Sequence, residues 1–331
     1  MKLSSRPICL AALFLLASHS AATSAQTYRG VNLAGMEFNS GKIPGRYGWD
    51  YISPKESEFA YYAGKGMNVF RIPVLWERLQ PALNGPLDPA ELGRLQQIVD
   101  MGEKYHAHII VDIHNYGRYR GKVIGSDDVT PASFADLWRR LADVFKEKPA
   151  VMFGLMNEPQ LSSADSWAQV QQQAIDAIRG TGARNDILVS GIGWDGAHNF
   201  PQLNGDALAA LRDPAQNLVY EVHQYFDSNY SGTKPDCIAP PQAVQQLTGV
   251  TAWLRARRAR GFLGEFGVGR SDICEQDLSL VVKYMQDNRD VWLGWTYWAG
   301  GPLWGDYMFT LDPTRDGQDR PQMDALRDVL K

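Results

Sequence analysis

Past its first two dozen residues, the 331-residue chain has no apolar run near the roughly 20 residues that a membrane-spanning helix needs. It also lacks any block of like charge: 33 Lys and Arg stand against 37 Asp and Glu, a net charge of −4. Neither nucleic acid nor an anionic membrane finds a basic face in that balance, so neither is an expected partner. There is no internal repeat, no low-complexity tract and no Pro/Ser/Thr-rich linker, and so no sign of an appended binding module. No strand-like run leads into a phosphate-cradling glycine fingerprint, which argues against a dinucleotide-binding open sheet. Cysteine is scarce, at three residues.

What is present begins with a separate N-terminal object. Lys2 and Arg6 precede the apolar stretch Ile8 to Ala17, and small residues then lead to Gln26, the layout of a secretory signal with cleavage near Ala25. The expected organisation is residues 1–25 as signal peptide and 26–331 as one catalytic domain, exported to the periplasm or medium and monomeric. Cleavage removes Cys9 and leaves Cys237 and Cys274. An exported chain with two cysteines invites a disulfide between them; the alternative is a pair of reduced buried thiols.

Eight short apolar or β-rich runs recur along the remainder: YRGVNLAG around Gly30, NVFRIPV from Asn68, HIIVDIHN from His108, VMFGLMNE from Val151, DILVSGIG from Asp186, LVYEVHQY from Leu218, GFLGEFG from Gly261 and VWLGWTYW from Val291. Helical patterns separate most of them. Asp88 with Pro89, and Thr130 with Pro131, are N-cap and first-turn signals, each followed by an apolar face at helical spacing. Further helices are expected over 163–179, 241–257 and 277–288. Strands alternating with helices eight times imply an α/β fold, a (β/α)8 TIM barrel, with an open doubly wound sheet as the runner-up.

A barrel places its chemistry at the C-terminal ends of its strands. Those ends carry Arg71, Asp112 and His114, Asn157 and Glu158, Trp194, His223 and Tyr225, Glu265, and Trp298. Taken singly, each has a plainer reading: Glu158 as a helix cap, Arg71 as a buried counter-ion, the histidines and Tyr225 as hydrogen-bonded core. Their recurrence at the same end of consecutive strands favours a shared site, and two glutamates on non-adjacent strands suit the paired carboxyls of glycoside hydrolysis.

The ordered set FRIPV, DIHN, LMNEP, VHQYFD, GEFG and WTYWAGG resembles glycoside hydrolase family 5, most closely its secreted cellulase-type endo-β-1,4-glucanases, over nearly all of the mature chain. The resemblance implies Glu158 as general acid/base and Glu265 as nucleophile of a retaining mechanism. It implies Arg71, His114, Asn157, His223, Tyr225 and Trp298 as the rest of the active-site set, and a β-1,4-linked polysaccharide or oligosaccharide as substrate, with no cofactor and no metal. Flat aromatic faces stack on sugar rings, so Trp298, then Trp194 and Trp304, are candidate substrate contacts, with Trp49, Trp76 and Tyr116 as outer ones, Trp49 and Trp76 reading equally as packing against loops; Trp138 and Trp167 fall in helical patterns and read as core. Glu37, His198 and Asn199 are candidate hydroxyl partners. Mannan, mixed-linkage glucan and xyloglucan remain alternative substrates. A noncatalytic carbohydrate-binding barrel and a metal-dependent hydrolase are the competing classes, Asp112-Ile113-His114 being the nearest approach to a metal cluster at a strand end.

Overall fold

The computed structural model describes residues 27–331; the expected signal peptide and its cleavage point lie outside them. Eight strands close into a barrel: β1 Tyr28–Leu33, β2 Val69–Val74, β3 His108–Ile113, β4 Val151–Gly154, β5 Ile187–Val189, β6 Leu218–His223, β7 Gly261–Glu265 and β8 Trp292–Gly300. Every neighbouring pair is parallel, and β8 closes on β1. The principal helix after each strand is α1 Glu56–Gly64, α2 Pro89–Lys104, α3 Pro131–Phe145, α4 Ala164–Gly180, α5 Gly205–Ala209, α6 Pro240–Arg257, α7 Asp272–Asp287 and α8 Pro321–Leu330. No helix among the described residues is long and apolar enough to cross a membrane.

The two-residue period of a strand builds the interior in layers. Tyr28, Val69, Ile110, Met152, Leu188, Val219 and Phe262 form one buried cluster, with Leu293 packed on it, so every strand sends one apolar side chain to the floor of the barrel. Two residues further along β2, β3 and β6, the same face carries Arg71, Asp112 and Glu221, all buried. The alternate residues, among them Phe70, Val111, Phe153 and Val222, face outward and pack with the helices in the main core. In α3, Phe134, Leu137, Trp138, Leu141 and Phe145 are all buried; truncating a buried aromatic there, as in Phe134→Ala, would cost about 3–5 kcal/mol.

The helix starts follow their local chemistry. Asp88 accepts from the backbone N–H groups of Ala90 and Glu91, and Thr130 from that of Ser133, with Pro89 and Pro131 in the first turns as their sequence implied. Helix α7 starts five residues ahead of the expected 277, because Ser271 caps it through the Cys274 N–H. Cys274 is disulfide-bonded to Cys237, with a Cα–Cα distance of 5.3 Å, so the expected bridge is present. Helices α1, α5 and α8 were not anticipated; α1 is short, and its start is held by Glu58 Oε2, which accepts from the Lys55 N–H at 2.6 Å.

Candidate active site

The C-terminal mouth of the barrel opens into a cleft of about 740 Å³ lined by His114, Tyr116, Glu158, Trp194, His198, Asn199, His223, Tyr225, Glu265 and Trp298, among others. Ten side chains expected at a site from their strand-end or loop positions thus converge on one space.

Beneath it lies a buried ionic layer. Arg71 Nη1 donates to Glu265 Oε1 at 2.8 Å and to Asn32 Oδ1 at 2.9 Å, and Nη2 donates to Asn157 Oδ1 at 2.8 Å. The same guanidinium lies 3.1 Å from Asp112 Oδ1 and, through Nε, 2.9 Å from Glu221 Oε1. One fixed cation therefore serves three acidic side chains, a task suited to the planar fork of arginine. Gly264 belongs to this layer too: a Cβ there would stand 2.1 Å from Glu221 Oε1, so the carboxyl occupies the space a side chain would need.

Glu158 and Glu265 face each other above this layer, with a carboxylate oxygen of each within 4.8 Å of the other. His223 lies between them, its Nδ1 2.8 Å from Glu158 Oε1 and 3.8 Å from Glu265 Oε2. The Tyr225 hydroxyl donates to Glu265 Oε2 at 3.0 Å. Burial raises the proton affinity of Glu158, and the negative charge of Glu265 adds to it, against an opposing hydrogen bond from His223. Glu265 goes the other way. Burial would raise it, but His223, Arg71 and His114 together with the Tyr225 hydrogen bond outweigh that and hold it below the usual glutamate value. Burial disfavours a charged His223, yet Glu265, Glu158 and Glu221 around it raise its pKa well above the ordinary histidine value. With the two glutamates it forms a compact cluster, a ligand atom of each lying within 4.8 Å of the others.

Local backbone fixes these groups. Glu158 has φ 42° and Tyr116, Trp194 and Asp195 have φ between 53° and 62°, a left-handed conformation uncommon for such side chains. Buried Asp195 accepts from the Glu158 N–H at 3.1 Å and also from the Gly191 N–H, tying the loop after β5 to the Glu158 backbone. His114 Nδ1 is 2.7 Å from Asp112 Oδ2. The indole of Trp298 stacks on the His114 ring, with centroids 5.6 Å apart and 14° between planes.

The structure places several of the expected residues outside the cleft lining. Trp304 is not in the cleft lining: its indole N–H donates to Gly300 O, and its ring stacks on Tyr307 and meets Trp298 edge-on at 5.8 Å, so it braces Trp298 from behind. Glu37 is buried outside the lining, with Oε2 accepting from the Gly35 N–H at 2.8 Å and burial pushing its carboxyl up to about 7. Trp76 is fully buried core, edge-on to Tyr119. Trp49 is 74% exposed and outside the cleft, with Arg46 over its ring. Trp138 and Trp167 are core, as their helical spacing implied. Sequence reasoning missed Asn32, Asp195 and Glu221. It also passed over His106-Ala107-His108, a closer match to metal-ligand spacing than Asp112-Ile113-His114; His108 opens β3, at the opposite end of the barrel from the cleft.

A closed parallel barrel with two facing glutamates of opposed proton affinity defines the class: this is a glycoside hydrolase barrel. The family model described as cellulase (glycosyl hydrolase family 5) matches residues 24–301, and the chain belongs to that family. It is 39% identical over 313 residues to endo-beta-1,4-glucanase B of Aspergillus niger, covering 94% of this chain and 93% of that protein. Among solved structures, XacCel5A in complex with cellopentaose is 49% identical with a TM-score of 0.90, covering 92% of this chain and 99% of the other. Pseudomonas stutzeri endoglucanase Cel5A in complex with cellobiose is 35% identical with a TM-score of 0.86, each chain covered to 92%.

Proposed function

We propose that the protein is a retaining endo-β-1,4-glucanase in which Glu265 is the nucleophile and Glu158 the general acid/base. The observation that carries this reading is the carboxyl pair: two glutamates with an oxygen of each within 4.8 Å of the other, compatible with the roughly 5–5.5 Å carboxyl spacing of retaining enzymes, with the proton affinity of Glu265 lowered and that of Glu158 raised by their surroundings. Ionised Glu265 attacks the anomeric carbon while Glu158 gives its proton to the departing glycosidic oxygen, leaving a glycosyl ester on Glu265. Glu158, now a carboxylate, takes a proton from water as the water attacks that ester's anomeric carbon, and Glu265 is released.

The surrounding groups have matching tasks. Arg71 and Tyr225 orient the Glu265 carboxylate, and Asn157, fixed by Arg71, is placed to bond the hydroxyl next to the reacting carbon, a contact that strengthens in the transition state. Trp298 offers its face to a pyranose ring, with His114 stacked behind it. The solved relative with cellopentaose bound and the relatives named as endo-beta-1,4-glucanases favour β-1,4-glucan over mannan. Cleavage of the N-terminal signal near Ala25 makes the enzyme an exported, single-domain protein that works as a monomer.

The test is reducing-end release by the purified protein from a soluble cellulose derivative, mannan, xylan and xyloglucan, with Glu265→Gln as control. Preferential cleavage of the cellulose derivative that is lost in Glu265→Gln supports the reading. Preference for mannan overturns the substrate, and activity retained by Glu265→Gln overturns the mechanism.

A further inference from the structure

Glu221 carries no step of the double displacement, yet the barrel makes room for it. In the pairing of β6 with β7, Val222 stands opposite Leu263 and His223 opposite Glu265, so Gly264 is an extra residue on β7. The Glu221 carboxyl fills the place a side chain at 264 would need. Glu221 and His223 share the inner face of β6, two residues apart, and both are buried. The His223 ring thus lies between carboxyls, with Nδ1 2.8 Å from Glu158 Oε1 and Nε2 3.5 Å from Glu221 Oε1. We propose that Glu221 is a positioning residue for Glu158 that acts through His223: its charge keeps a proton on both ring nitrogens, so that Nδ1 donates to Glu158 Oε1 and the acid proton of Glu158 stays on Oε2. The inference rests on the reading of Glu158 as the general acid.

A neutral imidazole has one N–H and one lone pair, and neither tautomer suits this setting. With the N–H on Nε2, the Nδ1 lone pair faces Glu158 and accepts its proton, which then points at the ring instead of the glycosidic oxygen. With the N–H on Nδ1, the Nε2 lone pair faces the Glu221 carboxylate. The imidazolium matches both neighbours. In the first step the Glu158 Oε2–H bond breaks as its proton joins the departing oxygen, the glycosidic bond breaks, and the ester to Glu265 forms. In the second, a proton from the attacking water returns to Glu158. Both ring protons stay on His223 throughout.

The charges around the ring favour this state. Glu265 Oε2 is 3.8 Å from Nδ1. Asp195 faces the ring from the loop after β5, but burial raises its proton affinity, so it offers little charge. Burial also disfavours a charged Glu221, yet Arg71 and His223 outweigh that and lower its pKa. Arg71 is already shared among Asp112, Glu221 and Glu265, which leaves a place for a second cation. Glu221 Oε2 is buried without a hydrogen-bond partner among the described residues. An unpaired buried oxygen costs about 1–3 kcal/mol, so what Glu221 contributes is its charge, delivered through Oε1 to Arg71 and His223.

Glu221→Gln keeps an oxygen beside Arg71 and removes the charge beside His223. The experiment compares kcat/KM on cellopentaose, whose leaving group needs a proton, with kcat/KM on dinitrophenyl cellobioside, whose leaving group does not, in the wild type, Glu221→Gln and Glu158→Gln. Glu221→Gln should lose roughly 10- to 100-fold on cellopentaose, part of the general-acid contribution, and far less on the aryl substrate. Equal losses on both substrates would mean a disturbed floor and would overturn the proposal. If Glu158→Gln itself loses equally on both, the assignment of the acid falls, and the endoglucanase mechanism with it. Nitrogen NMR of isotopically labelled histidine, with His223 assigned by comparison with His223→Asn, reads the ring directly. At about pH 8, where an ordinary histidine is neutral, the wild-type ring should carry protons on both nitrogens, and Glu221→Gln should lose one. A neutral wild-type ring at that pH would overturn the proposal without any need for a folded Glu221→Gln.

Discussion

Arg71 Nη1 and Glu265 Oε1 meet at 2.8 Å with both side chains withdrawn from solvent. The guanidinium also answers Asp112 and Glu221, so it holds the floor of the site together and, with His223, holds the Glu265 pKa below the usual glutamate value. Arg71→Lys keeps a cation but loses the fork that reaches Asn157 and Asn32. It should lower kcat by at least about 10²-fold and move the acid limb of the pH profile upward, because a less well matched cation lets the Glu265 pKa rise. Arg71→Met, which strands three acidic groups, should cost about 3–5 kcal/mol; denaturant unfolding of the two variants checks the contrast.

The two glutamates fail differently when replaced. Glu265→Gln removes the nucleophile and should lose several orders of magnitude on every substrate. Glu158→Gln should lose about 10²–10⁴-fold on polysaccharide, yet still release a dinitrophenolate from an aryl cellobioside, because that leaving group needs no proton. A burst of dinitrophenolate followed by slow turnover in Glu158→Gln, absent in Glu265→Gln, is the expected record, and the reverse pattern would exchange the two roles.

The pH profile of kcat/KM should be a bell. Glu265 must be ionised, and its pKa lies below the usual glutamate value, so activity rises with pH on the acid side ahead of an ordinary carboxylate. Glu158 must be protonated, and its pKa is raised, so the alkaline limb falls above the normal glutamate range. In Glu158→Gln, assayed on the aryl cellobioside burst, the alkaline limb should vanish and the acid limb remain.

Asp277 on α7 is buried with neither carboxyl oxygen hydrogen-bonded in the described residues, and burial pushes it up to about 7. Its folded pKa lies above its unfolded one, so folding becomes less favourable as pH rises from about 4 to about 7 and changes little beyond. Asp277→Asn should therefore raise the melting temperature, with a gain that is small at pH 4, grows to pH 7 and then levels off. A gain independent of pH would contradict this.

The Cys237–Cys274 bridge closes a loop with a sequence separation of 37. Chain-entropy reasoning gives it about 4 kcal/mol. Cys237→Ser with Cys274→Ser should lower the midpoint of denaturant unfolding accordingly, and two titratable thiols in the untreated native protein would contradict the bridge.

Much of this was readable because the barrel writes itself in periods. All eight strands follow from short apolar runs, and α2 and α3 from Asp-Pro and Thr-Pro starts. Ten of the side chains on the cleft were found at strand ends or in the loops just beyond them, while Gln224, Asn229, Tyr230, Ser231 and Thr233 were not. Glu221 was legible in principle: it sits mid-strand in VYEVH, two residues before His223, and so on the same inner face. Asp195 and Asn32 were not, because their roles depend on a left-handed turn and on the closure of β1 against β2. Trp304 lies behind the cleft lining and Trp76 in the core; an aromatic near a strand end looks the same in sequence whether it touches sugar or braces a neighbour. Helix α1 escaped because its buried face is only Phe59 and Tyr62.

The central claim is that Glu158 and Glu265 act by double displacement, and the most direct measurement is the anomeric configuration of the sugar first released from cellopentaose, followed by proton NMR before mutarotation. The account predicts that the β anomer appears first and relaxes to the equilibrium mixture. An initial α anomer would mean single displacement by water and would contradict it.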